Sequence, residues 1–438
     1  MQRLRETRAI CRRCNAAHPA EVVIRDGKVI GITHCPAGRD EVELSSNPAL
    51  YMTLTGRSPA PPDAPPAAGL KHVLNYISVT NACNFHCTVC CTDAGGKDKC
   101  TFLRVDEIVR RARLAYDAGG RILHLFGGEP TLHPDLETIV RRLADMGLSV
   151  GLVTNGLELG RRPELAAQLK ACGLKRVCLQ FDSLEHAPLS ALARDFLQEK
   201  RRAIRHAIAA GLDVGLNCTA TQQTLPELGA LVEHGVSLGV RVRNMTFGCA
   251  APIGRFMLSP DTLVDREQIV DALLRTGGER HFTLDDILPL PCYLPWGLQV
   301  HPDCGVHILL LRQPGGVTAL NRLIDLPRLY ARLARSRATG ALAARFAPGW
   351  HMLRSVRPGR WCALLAAVAG LLFRKDRYGI MNIGISDYRA AQFLDEQRLR
   401  RCASAFHTAV GPVQGCLHFY QRADVPGSLA YEAAHQSC

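Results

Sequence analysis

The chain has 438 residues, 47% hydrophobic and 21% charged, ordinary values for a globular protein with a large core and one or two accessory modules. No apolar run approaches the roughly 18 to 20 residues that span a bilayer, and the N-terminus shows no secretory pattern, so a cytoplasmic location is expected. A net charge of +13, from 53 basic and 40 acidic residues, suits a solvated basic surface or an anionic partner; the low aromatic content and the lack of a groove-reading motif argue against nucleic acid.

Thiols stay reduced in the cytoplasm, so the 18 cysteines are not explained by disulfides. Many of them cluster, and clustered cysteines read as metal sites. Cys172, Cys178 and Cys218 stand singly in apolar stretches and read as small core residues.

Residues 1–58 form a Cys-bearing unit. Val22 to Ile24 and Lys28 to Ile32 read as strands joined at Asp26-Gly27, a hairpin signal. Cys11-Arg-Arg-Cys14 and the later Cys35-Pro36 have the spacing of a knuckle for zinc or mononuclear iron, with His34 or a remote cysteine as fourth ligand. Residues 59–71, with five prolines, read as a linker.

Residues 72–275 alternate strands and helices. Val73 to Thr80, Ile122 to Phe126, Ser149 to Val153, Arg176 to Gln180, Asp213 to Ala220 and Arg241 to Phe247 are the expected strands. Helices are expected over Val105 to Ala118, Leu136 to Met146 and Leu225 to Leu238. Six such units predict an α/β fold, a partial (β/α)6 TIM-like barrel with ligands at the carboxyl ends of its strands. Small Cys-bearing, metal-binding regions flank it, and residues 276–438 form the C-terminal auxiliary or substrate region.

The loop after the first strand reads Cys83-Asn-Phe-His-Cys87-Thr-Val-Cys90. Three thiolates at this spacing suit three corners of an iron–sulfur cluster and leave one iron open for chemistry. Zinc or an electron-transfer cluster would need a fourth ligand, which Cys91 or Cys100 could provide. This motif, followed by Gly127-Gly128-Glu129-Pro130, Thr154-Asn155, Asp182-Ser183 and Asn217 at the ends of successive strands, resembles the radical S-adenosylmethionine (SAM) superfamily. Val89 departs from the aromatic that usually precedes the third cysteine.

The resemblance implies a [4Fe-4S] cluster on Cys83, Cys87 and Cys90, with SAM held by Gly127, Gly128, Glu129, Pro130, Thr154, Asn155, Asp182, Ser183 and Asn217. It implies reductive cleavage of SAM to a 5′-deoxyadenosyl radical that activates a C–H bond, with an external flavodoxin- or ferredoxin-type reductant. No acid–base residue is expected beyond the cluster.

The order of the flanking motifs resembles one branch, the archaeal tetraether lipid synthases and pterin-methylating enzymes. The motifs are Ala20-Glu21-Val22 to Val29, Leu320-Asn-Arg-Leu-Ile-Asp325 and Ile383-Gly-Ile385. That branch implies C–C bond formation or methylation on a lipid or pterin-like small molecule, with modification of a ribosomal peptide and an iron–sulfur electron carrier as the rivals. Cys292, Cys304, Cys402 and Cys416 become candidates for an auxiliary cluster, with Cys362 in reserve, although eleven residues separate Cys292 from Cys304.

Two segments bear on a membrane surface. Leu326, Leu329, Tyr330 and Leu333 share a helical face among Arg328, Arg332 and Arg335, which reads as a solvated surface helix packing on the core, with rest on anionic lipid as the alternative. Cys362 to Phe373 reads as a buried helix or as a wall of a greasy pocket.

Overall fold

The computed structural model describes residues 1–58, 72–95, 101–185, 196–276, 280–289, 301–335 and 349–420. The linker 59–71, Cys100 and Cys292 lie outside the described residues.

Four antiparallel strands open the chain: β1 Gln2–Ile10, β2 Ala17–Arg25, β3 Lys28–Cys35 and β4 Gly38–Ser45. Asp26 and Gly27, at φ 52° and 72°, make the expected hairpin turn, which pairs Arg25 with Lys28. Two successive positive φ values match the right-handed twist of the flanking strands.

The main sheet begins with β5 Leu74–Thr80, and the two-residue β6 Val89–Cys90 lies in the cysteine loop that follows. Then come β7 Ile122–Gly127, β8 Ser149–Thr154, β9 Arg176–Gln180, β10 Asp213–Ala220 and β11 Val242–Cys249, each preceded by a helix. The helix Leu136–Asp145 shows why these units pack: Leu136, Ile139, Val140 and Leu143 recur at helical spacing and are all buried. Against them lie Val150 and Leu152 of β8, in a core where truncating one leucine to alanine costs about 2–5 kcal/mol.

The remaining strands are β12 Arg255–Phe256, β13 Gly305–Gln313, β14 Gly316–Ala319, β15 Gly379–Ser386, β16 Leu394–Asp395, β17 Ser404–Thr408 and β18 Gly411–Gln414. The large sheet has the order β14-β13-β15-β11-β10-β9-β8-β7-β5-β17-β18. Pairing is parallel from β15 across to β17, and antiparallel only where β13, β14 and β18 extend the ends. The fold is α/β, with a parallel βα sheet of partial-barrel type. The six expected strands form its centre, and β15 and β17, from beyond residue 275, extend it in parallel at both edges.

The same C-terminal region reaches the N-terminal sheet, since β16 pairs with β1. Arg5 ties the units further, donating to Asp303 and to Asp395 at 2.5 Å each. Burial alone would raise the Asp303 carboxyl, but Arg5, His301 and Arg266 outweigh it and hold the group below the usual carboxylate range. Tyr51 also donates to Asp303, at 2.8 Å.

Leu326, Leu329 and Tyr330 are buried in a second core with Leu309, Leu311 and Leu364, so this segment packs on the core and does not turn its apolar face to lipid. The helix Trp361–Phe373 shows the opposite. It buries only Leu364, Ala367 and Gly370, so the expectation that this apolar stretch is a buried helix does not hold.

Candidate active site

The cysteine loop leaves β5 at Thr80 and turns across the carboxyl ends of the parallel strands. Two glycines make this approach possible. A Cβ on Gly127 would strike the carbonyl of Thr80, and one on Gly128 would strike the carbonyl of Ala82. Gly127 also sits at φ 133°, outside the range of most side chains. The amides of Gly128 and Glu129 donate to those two carbonyls at 2.7 Å, fixing the loop on the end of β7.

Arg255 of β12 holds the other side of the loop. Its Nε donates to the carbonyl of Cys87 at 2.8 Å and its Nη2 to the carbonyl of Ala94 at 2.6 Å, while β12 pairs with β6 so that Arg255 lies opposite Cys90. Phe85 is buried against Phe196 and beneath the ammonium of Lys200.

Cys83, Cys87 and Cys90 line one cavity of about 550 Å³ over the strand ends. Burial pushes the Cys83 thiol up to about 11 and the Cys87 thiol up to about 12, and the nearby Cys90 sulfur adds to both. Among the described residues, the one group of ligand atoms lying within 4.8 Å of each other is Cys11, Cys14 and Cys35. The three loop sulfurs do not form such a group; three thiolates on a compact loop suit three corners of an iron–sulfur cluster. Cys91 lines the cavity as a fourth thiol, pushed up to about 12 by burial.

Of the residues expected to hold SAM, Gly127, Gly128, Thr154, Asn155 and Asn217 line this cavity. Glu129, Pro130, Asp182 and Ser183 stand behind its wall. Glu129 accepts hydrogen bonds from Thr131 N and Oγ1, Thr154 Oγ1 and Asn155 N, at 2.6 to 3.0 Å. It is a buried brace that sets the end of β8, and burial raises its carboxyl in spite of these donors. Asp182 accepts from Thr219 N at 2.9 Å and Gln180 Nε2 at 3.0 Å, and Ser183 donates to Glu227 at 2.6 Å.

The same cavity is also lined by Cys304, Cys402 and Cys416. Burial pushes Cys304 up to about 11 and Cys402 up to about 12, with Cys416 acting on both. The buried Arg398 guanidinium, anchored on the carbonyl of Asp387 at 2.9 Å, opposes this at Cys304. Tyr388 lies near Cys91 and Cys416. Cys362 is exposed on the helix Trp361–Phe373 and does not line the cavity.

Part of the cavity wall is polar. Asn382 Nδ2 donates to Asn244 Oδ1 at 2.6 Å, Asn244 Nδ2 to Thr246 at 2.7 Å, and His307 Nδ1 lies 3.2 Å from Asn382 Oδ1.

The model of the radical SAM superfamily matches residues 77–230. The chain carries a radical SAM domain. GTP 3′,8-cyclase of Nautilia profundicola is 36% identical over 177 residues, covering 39% of this chain and 55% of that protein. 7,8-Dihydro-6-hydroxymethylpterin dimethyltransferase of Methanocaldococcus jannaschii is 26% identical over 364 residues, covering 73% of this chain and 71% of that one. The chain spans 52–63% of the length of three such cyclase relatives. Streptococcus suis SuiB bound to SAM aligns with a TM-score of 0.37 at 16% identity, over 45% of this chain and 44% of that chain. Residues 77–230 thus match the radical SAM superfamily, and the two sequence relatives are named as enzymes.

A second thiol group sits apart from the radical SAM domain. Cys14 and Cys35 have their sulfurs 3.6 Å apart, and Cys11 accepts the amide of Arg13 at 3.4 Å. Burial opposes ionisation of Cys11, but the amides of Arg13 and Cys14 bring its pKa down. His18 Nε2 lies 3.2 Å from the Cys14 sulfur. His34, the expected fourth ligand, turns instead to Glu21 at 3.1 Å.

Sequence reasoning passed over Arg255, Lys200, Tyr388, Arg398 and the Asn244–Asn382–His307 wall, because each acts across the fold. His18 was legible, lying four residues after Cys14.

No helix among the described residues is long and apolar enough to cross a membrane.

Proposed function

We propose that this protein methylates, or forms a C–C bond at, an unactivated carbon of a small hydrogen-bonding molecule of the pterin-like or lipid headgroup kind. The observation that carries the reading is a single cavity lined both by Cys83, Cys87 and Cys90 and by Cys304, Cys402 and Cys416. The pterin dimethyltransferase relative, covering most of both chains, supports the chemistry class.

The three thiols of the cavity-lining loop fit a [4Fe-4S] cluster on Cys83, Cys87 and Cys90. When bound, such a cluster supplies the one-electron reduction of SAM that yields methionine and a 5′-deoxyadenosyl radical. This chain's residues do the rest. Gly127, Gly128, Thr154, Asn155 and Asn217 offer backbone and amide groups to the methionine and ribose portions. Arg255 keeps the loop in register, and Leu74, Tyr76 and Phe126 close the cavity with apolar surface that excludes water. Asn244, Asn382 and His307 orient a substrate bearing amide-like donors and acceptors. An external one-electron reductant is required.

Cys304, Cys402 and Cys416 fit three ligands of a second cluster. Cys11, Cys14 and Cys35 fit three ligands of one zinc or iron ion, which ties the β1–β2 turn to the end of β3, and His18 Nε2 stands beside them, 3.2 Å from the Cys14 sulfur.

Iron and sulfide counts with Mössbauer spectra test this assignment. Changing Cys304, Cys402 and Cys416 to alanine should remove one cluster's worth of iron while 5′-deoxyadenosine formation persists. Unchanged iron content would refute the second cluster.

A further inference from the structure

Among the described residues, thirteen large hydrophobic side chains are exposed, and six of them fall between Trp350 and Phe373. Trp350 is 58% exposed, Leu365 61%, Leu372 59% and Phe373 83%. Trp361, Leu365 and Leu372, spaced by four and seven, form one stripe along the helix Trp361–Phe373. The opposite face, Leu364, Ala367 and Gly370, is seated on the second core, with Gly370 against the ring of Tyr378. The helix is therefore fixed to the body with its outer apolar face turned to solvent.

The charge around it is predominantly basic. Residues 350–377 include Arg354, Arg357, Arg360, Arg374, Lys375 and Arg377 against one acidic residue, Asp376, which pairs with Arg377. Arg354, Arg360, Arg374 and Lys375 are exposed and make no ion pair among the described residues. Arg357 is committed inward, to the carbonyl of Asn321. A 13-residue helix spans roughly 20 Å, too short to cross a bilayer and suited to lying in its surface plane. Tryptophans before the helix and at its first residue, with cations at both ends, are the arrangement that seats an interfacial helix among headgroups.

We propose that the face formed by Trp350, Trp361, Leu365, Leu372 and Phe373 docks the protein on an anionic bilayer, with Arg354, Arg360, Arg374 and Lys375 meeting lipid phosphates. The inference stands on this surface alone and holds whichever substrate enters the cavity. A protein partner would need acidic groups at both ends of an apolar groove; a bilayer carrying anionic lipid provides apolar depth and negative charge together.

Flotation of the full-length holoprotein tests it, with vesicles of phosphatidylcholine alone and of equimolar phosphatidylcholine and phosphatidylglycerol. The protein should float with the anionic vesicles, and its tryptophan emission should shift to the blue. The double variant Leu365→Asp/Leu372→Asp should weaken binding at least about tenfold, because two leucines no longer enter the lipid. Arg374→Gln/Lys375→Gln should weaken it by about tenfold or more. Both variants change exposed positions and should keep the wild-type unfolding midpoint and metal content. Val410→Asp, at an exposed apolar position in the β17–β18 turn, should bind as wild type does. Failure of the wild type to bind anionic vesicles overturns the proposal, as does an equal loss in Val410→Asp. Light scattering that shows a dimer split by Leu365→Asp/Leu372→Asp, without vesicle binding, assigns the face to a second copy and also overturns it.

Discussion

Arg255 donates through Nε to the carbonyl oxygen of Cys87 at 2.8 Å, joining a residue beyond the last central strand to the loop after the first. The same guanidinium reaches the carbonyl of Ala94, so one side chain spans the loop from its middle to its exit. No spacing within the cysteine motif announces this contact, yet it sets where the three thiols stand.

Removing that clamp should loosen the thiols without removing any. Arg255→Ala should lower iron retention on Cys83, Cys87 and Cys90, and with it 5′-deoxyadenosine formation, by about ten- to a hundredfold. Arg255→Lys keeps one donor and should fall between. Iron content per chain and the rate of SAM cleavage check this together; wild-type values for Arg255→Ala would remove the clamp from the account.

Arg5 makes a different kind of tie, joining the N-terminal sheet to Asp303 and Asp395 at 2.5 Å. Both carboxylates are buried, so Arg5→Ala leaves them without their principal cation. The expected cost is about 3–5 kcal/mol, read as a lower urea midpoint. Asp303 precedes Cys304, so the variant should also lose iron from the Cys304, Cys402 and Cys416 site before it loses 5′-deoxyadenosine formation.

Buried histidines should make the fold acid-sensitive. Burial, with the charge of Arg176 behind it, lowers His124 to about 3. The unfolded chain binds this proton near pH 6.5 and the folded chain does not, so this group's share of stability is present above pH 6.5 and falls as pH drops toward 3. Between pH 7 and 5 the loss is about 2 kcal/mol from this one residue. His124→Phe, which keeps the stacking on Tyr76, should flatten the difference in urea midpoint between those two pH values; an unchanged difference would show that His124 is not the titrating group.

At the N-terminal thiols, His18→Ala should lower metal affinity about ten- to a hundredfold, while His34→Ala leaves it unchanged. Competition with a colorimetric chelator reads both. Cleavage of SAM should be the same in each.

The central sheet was legible because its signals are local. Apolar strands of five to eight residues alternate with amphipathic helices, and the strands at Arg176–Gln180 and Asp213–Ala220 begin and end where the sequence places them. The cysteine motif was legible for the same reason. What escaped was long-range. β15 and β17 join opposite edges of the sheet from the C-terminal region, and period-two patterning does not say which edge a strand will take. Of the two C-terminal helices, the one with Leu326 and Leu329 packs its apolar face on the core as a surface helix should, whereas the unbroken apolar run of the other suggested a buried helix, but the body covers only one side of it. Hydrophobicity says that a face seeks cover, and only packing shows which face has found it. Glu129 is the matching case at the site, where a motif residue proved to brace the end of β8 and not to line the cavity.

The central claim is that Cys83, Cys87 and Cys90 equip this cavity to cleave SAM. The most direct measurement is 5′-deoxyadenosine formed by the reduced, iron-loaded protein, compared with a variant in which all three are alanine. The account predicts product from the wild type and none from the variant, which should keep its remaining iron. Undiminished 5′-deoxyadenosine from the triple variant would contradict it.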